Sequence, residues 1–195
     1  MISTDDIKAL RERTGVSVMQ CKKVLEEANG DMDKALVLLH KLSSVAAAKK
    51  ADRTLGAGIV AVYRHSSGTI GAMVELLCET DFVAKNEDFQ VLAHDIAMHI
   101  AATDPTFLSM DDVTPEERMK AQEAFQKEVE ESDKPEDIKT KMLEGKIHGY
   151  LKERVLLEQA FIKDPNVTIG HLVEQAVQKF GEKTEIGRFA RFSIV

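Results

Sequence analysis

Residues Glu75–Lys85, reading ELLCETDFVAK, constrain this chain more than any other stretch. An apolar run suited to a strand passes directly into Thr80-Asp81-Phe82-Val83, and a helical pattern follows, with Phe89, Leu92, Ala93, Ile96 and Ile100 on one face. Thr80 and Asp81 are ordinary helix-capping residues, but a large aromatic at the boundary leaves two outcomes open. Phe82 either folds back into the core or is offered to a partner. The start of the helix is open as well. Asn86, followed by Glu87 and Asp88, is as good a cap as Asp81, and with Asn86 as the cap Phe82 falls in a preceding, more exposed turn.

The flanking sequence places this junction in an α+β chain with a helical start. Three short helices are expected over residues 3–42. Ser3 or Thr4 caps the first and Gly15 ends it. Ser17 caps the second, where Val18, Cys21, Val24, Leu25 and Ala28 recur at helical spacing before Asn29-Gly30. Asp31 caps the third, built on Met32, Ala35, Leu36 and Leu39. Such a bundle is marginal alone, so residues 1–43 read as a module, 44–56 as a linker that lets it move, and 57–195 as the body.

In the body, Ile59–Arg64 and Thr69–Cys78 read as strands of a hairpin joined by His65-Ser66-Ser67-Gly68. Thr114-Pro115-Glu116-Glu117 opens a helix and Lys134-Pro135-Glu136 a second. Residues 114–153 are therefore expected to project as a helical hairpin, charged and sparsely apolar. Val155–Ile162 reads as a short strand stopped by Asp164-Pro165. Thr168 caps a helix striped by Ile169, Leu172, Val173, Ala176, Val177 and Phe180, and Ile186–Val195 is a last strand with Gly187 as a candidate bulge. A small antiparallel sheet with packed helices is the expected core.

Composition and motif spacing exclude most other chemistries. The net charge of −7 argues against a general nucleic-acid or anionic-membrane binder, although residues 1–56 carry a small basic excess and residues 57–110 a larger acidic one. No apolar run approaches the roughly 18 residues a membrane span requires. Asp5 and Asp6 occupy the place of a signal peptide's basic region, so a cytoplasmic protein is expected. Cys21 and Cys78 form no CxxC pair and read as buried small hydrophobes.

His94 and His99 are about 140° apart around a helix, which is wrong for a zinc pair. Asp95 and His99 share a face, for which a solvated or capping role is the plainer reading. Gly181-Glu-Lys-Thr184 lacks the spacing of a phosphate-binding loop. No catalytic residue, metal or cofactor is expected; a hydrolase built on His99 and Asp95 is a weaker alternative.

Two segments carry a resemblance. Leu10-Arg-Glu-Arg-Thr-Gly-Val-Ser-Val-Met-Gln-Cys-Lys-Lys-Val-Leu25, continuing into Glu27-Ala-Asn-Gly-Asp31, and Glu75–Lys85 with Thr-Asp-Phe-Val intact, are together similar to the signatures of the elongation factor Ts family. Asp95-Ile-Ala-Met-His-Ile-Ala-Ala102 fits as well, and order and spacing agree over essentially the whole chain. Gln20 stands where the family usually has Asp, and Leu77 where Asn is common.

The resemblance implies a short form: an N-terminal module similar to a ubiquitin-associated domain, then one core subdomain carrying a helical hairpin, with a homodimer supplying the second half-core. It implies nucleotide exchange without a chemical step, on the GTPase elongation factor Tu in its GDP-bound and nucleotide-free states. Thr80, Asp81, Phe82 and Val83 would disturb the Mg²⁺ and phosphate region of that partner. Arg11, Met19 and His65 would make further contacts with it. An adaptor using the N-terminal module alone is the other class of function.

Overall fold

The computed structural model describes residues 2–194. Three helices open the chain: α1 (Thr4–Thr14), α2 (Val18–Glu27) and α3 (Met32–Ala48). Their ends follow local chemistry. Ser3 and Asp6 form a reciprocal capping box, and Gly15 closes α1 with φ 66°. Ser17 caps α2, and Asp31 caps α3 through the amides of Asp33 and Lys34. Leu10, Cys21, Val24, Leu25, Ala35 and Leu39 fill the centre of this bundle. Val18, expected on the buried stripe, is exposed instead.

Helix α3 continues through Ala48, past the point where the sequence suggested a linker. The cause is tertiary. Ser43 is buried, its hydroxyl within hydrogen-bond reach of both the Leu39 carbonyl and the Gln178 side-chain oxygen, and Ser44 donates to Glu174 at 2.6 Å. Both partners lie on α8 (Ile169–Phe180). The His40 and His171 rings meet beside them, tilted by 50° with centroids 3.9 Å apart. Burial and the neighbouring His171 lower the pKa of His40. The three-helix module is thus docked on the body along α3 and α8.

The body is built on β1 (Ala57–Arg64), β2 (Ile70–Cys78) and β5 (Thr184–Ser193), an antiparallel sheet in the order β1-β2-β5. Two residues of β5, Gly187 and Arg188, oppose Glu75 alone between the pairs Val74↔Phe189 and Leu76↔Ile186, so the bulge forms at Gly187 as expected. After β2 come α4 (Asp81–Ala84) and α5 (Glu87–Thr103). One sheet face packs on α5 and α8, burying Val74, Leu76, Phe89, Ile96, Ile100, Ile169 and Ile186.

Helices α6 (Pro115–Glu130) and α7 (Glu136–Lys152) form the projecting hairpin, whose root is sealed by Val113, Leu151 and Val155. The strand expected over Val155–Ile162 is a single 3₁₀ turn followed by the two-residue β3 (Ala160–Phe161). It pairs with β4 (Asp164–Thr168), which lies where Asp164-Pro165 had suggested only a stop. β4 is a polar edge strand, and Pro is tolerated at such an edge.

Candidate functional site

Strand β2 delivers the chain to its last paired residue, Cys78, opposite Thr184. Thr80 is still extended, with φ −126° and ψ 155°, and α4 then makes a single turn. That turn cannot continue. Asn86 caps α5 separately, its side chain accepting from the Asp88 amide at 2.9 Å. The open choice between Asp81 and Asn86 is therefore resolved as two helical pieces with a break at Lys85-Asn86.

The break decides where the side chains go. Phe82 is 82% exposed, and Thr80 and Asp81 are exposed beside it. Val83 points the other way, into the cluster under the sheet, and anchors the turn from below. Asp81 pairs with Lys85 at 2.6 Å, and this bond together with the lysine charge holds its carboxyl below the usual carboxylate range. The buried Cys78 thiol donates to the Thr80 carbonyl at 3.2 Å, and burial pushes its pKa up. It is a support beneath the turn and a poor nucleophile.

The other candidates lie on separate elements. Arg11 is exposed on α1, and Met19 on α2 is 83% exposed, an unusual position for a methionine in so small a bundle. His65 is exposed at the β1–β2 loop, its Nδ1 2.8 Å from the Ser67 hydroxyl.

Asp95 and His99 do not form a unit. Asp95 pairs with Lys163 at 2.6 Å. His99 is fully buried, with Nε2 2.9 Å from Gln159 Oε1, an oxygen that also accepts from the Thr103 hydroxyl. Gln159 in turn donates to the Glu153 carbonyl, so this cluster ties α5 to the root of the helical hairpin. Burial lowers the pKa of His99 and favours the neutral ring. Among the described residues no group of three His, Cys, Asp or Glu could hold a metal ion, and no helix is long and apolar enough to cross a membrane.

Sequence reading missed Glu182, which follows α8. Its carboxylate accepts from the Thr80 amide at 3.0 Å and from the Thr80 hydroxyl at 2.7 Å. Those partners are 102 positions away, and no local pattern announces such a contact.

An exposed aromatic on a short, pinned turn is a feature suited to binding a partner. Comparison with known proteins agrees with that arrangement. The family description "Elongation factor TS" matches residues 38–194. The chain is 46% identical to elongation factor Ts of Koribacter versatilis over 193 residues, covering 99% of this chain and 88% of that protein. It is 47% identical to that of Acetivibrio thermocellus over 192 residues, covering 98% and 89%. With that of Thermosipho melanesiensis it shares 44% identity over 194 residues, and the match takes in 100% of this chain and 99% of the relative. By the family match and by these identities across nearly its whole length, this protein belongs to the elongation factor Ts family.

Proposed function

We propose that this protein is the guanine nucleotide exchange factor of elongation factor Tu in the cytoplasm, and that Phe82 is its wedge. The observation that carries the reading is the ring itself, 82% exposed at the end of a sheet strand on a turn that the body holds in place. In the bound partner, Mg²⁺ bridges phosphate oxygens and protein ligands, so displacing its neighbours weakens the nucleotide without any chemical step. Burying one phenylalanine contributes about 1.5–3 kcal/mol, which corresponds to roughly one to two decades in affinity. Asp81, ionised and exposed, would reorient polar groups near the cation. Arg11, Met19 and His65 would add docking contacts from the helical module, similar to a ubiquitin-associated domain, and from the hairpin loop. Binding of factor and nucleotide is then mutually weakening by the same factor.

The test is release of fluorescent GDP from elongation factor Tu. Wild type accelerates release, and Phe82→Ala is expected to lose about ten- to a hundredfold of that acceleration. Equal acceleration by both proteins removes the wedge; no acceleration by either removes the exchange function. A module acting alone as an adaptor is disfavoured by its docking on α8 through Ser43, Ser44 and His40.

The second half-core would come from another copy of the chain. The sheet face turned away from α5 exposes Val60, Val62, Met73 and Phe192, with Ile194 just beyond β5, an apolar surface of the kind that marks an interface. Sedimentation at micromolar concentration should give twice the 21.6 kDa chain mass; a monomer alone would exclude the dimer.

A further inference from the structure

A four-residue helix cannot hold itself, because nucleation costs more than so few hydrogen bonds return. Something outside α4 must fix the turn that carries Phe82. Thr80 stands at its N-cap position, yet its hydroxyl makes no cap bond to α4. It donates to Glu182 Oε1 instead, while its amide donates to Glu182 Oε2. One residue back, just past the end of β2, the opposite exchange occurs. The Glu79 carboxylate accepts from the Lys183 amide at 2.5 Å and is gripped by Arg53 at 3.1 Å. Backbone bonding to Lys183 is the main reason that Glu79 is held below the usual carboxylate range.

These contacts share a register. The last ladder pair of β2 and β5 is Cys78↔Thr184. Counting outward, Glu79 faces Lys183 and Thr80 faces Glu182, in the same antiparallel order. Past the end of the sheet the backbone carbonyls have been replaced as acceptors by two carboxylates, one from the segment that follows β2 and one from the segment that precedes β5. The ladder therefore gains two side-chain rungs and reaches the foot of α4. On the far side, Gly181, with φ 74°, closes α8 immediately before Glu182. The turn is thereby fastened to the helix that carries the N-terminal module.

We propose that Glu182, with Glu79 as its counterpart, is a positioning residue for exchange: it fixes Thr80 so that the Phe82 ring is presented outward before the partner arrives. The proposal rests on the wedge reading of Phe82. Pre-set geometry spares the cost of ordering the turn at the step in which the ring displaces the nucleotide. Its loss should appear chiefly in the maximal release rate, with half-saturation little changed, because the ring contributes where the nucleotide is being displaced.

The experiment is stopped-flow release of fluorescent GDP from elongation factor Tu against factor concentration, with unfolding midpoints measured in parallel. Glu182→Ala should lower the maximal rate about fivefold to tenfold. Glu182→Gln, which keeps an acceptor oxygen for Thr80, should restore most of it. Glu182→Ala combined with Phe82→Ala should be no slower than Phe82→Ala alone. Thr80→Val removes the hydroxyl from the other side and should reproduce the loss if Glu182→Ala does not fold. A wild-type rate for Glu182→Ala while Phe82→Ala is slow overturns the positioning role and leaves the wedge standing. Glu182→Gln as slow as Glu182→Ala overturns it too, pointing to a charge that meets the partner directly. A wild-type rate for Phe82→Ala overturns the wedge reading itself.

Discussion

Phe82 and Phe89 are the same residue type seven positions apart, yet one is 82% exposed and the other fully buried. In a single continuous helix they would sit within about 20° of each other on one face. Phe89 packs under the sheet, its ring meeting that of Phe180 edge-on at 5.6 Å. A helix running unbroken from Asp81 would turn Phe82 toward the same side. The Asn86 cap interrupts the rotation, so the first aromatic is released to solvent and the second is kept. A single capping residue thus separates an exposed aromatic from a buried one.

Three substitutions break or sharpen that contrast. Phe89→Ala should be the most damaging, costing about 3–5 kcal/mol of stability in urea unfolding, because it empties a filled core site. Phe82→Ala, which on the proposed reading slows GDP release, should leave stability within about 0.5 kcal/mol, as for other exposed positions; a loss like that of Phe89→Ala would mean that its ring is buried in solution. Asn86→Ala falls between them. Removing the cap should cost about 1 kcal/mol and should also slow GDP release, since α4 and α5 are then free to merge and carry Phe82 inward. Unchanged release in Asn86→Ala would show that the break does not depend on its cap. The Asp81–Lys85 pair contributes little to stability in any of these variants, with both partners about three-quarters exposed.

What could be read from the chain was local. Ser17, Asp31, Thr114-Pro115 and Thr168 start helices where their side chains or fixed φ act within three residues, and each start is visible in sequence. The Gly187 bulge was legible for the same reason. What escaped was set at a distance. The continuation of α3 to Ala48 depends on bonds from Ser43 and Ser44 to Gln178 and Glu174, more than a hundred positions on. β4 is a polar strand holding a proline and made by pairing, with no apolar alternation to announce it. At the candidate site, Thr80-Asp81-Phe82-Val83 stood out, but not which side Phe82 would take. Nothing near Glu182 hinted that it reaches Thr80.

That distance has a consequence during synthesis. The β1–β2 hairpin and the turn after it leave the ribosome about a hundred residues ahead of Glu182 and the strand that follows it. On the nascent chain Phe82 hangs from an unfastened loop, and pairing across so long a gap is slow to close. The Thr80 turn is therefore fastened only once Glu182, 102 positions later, has been made and folded against it.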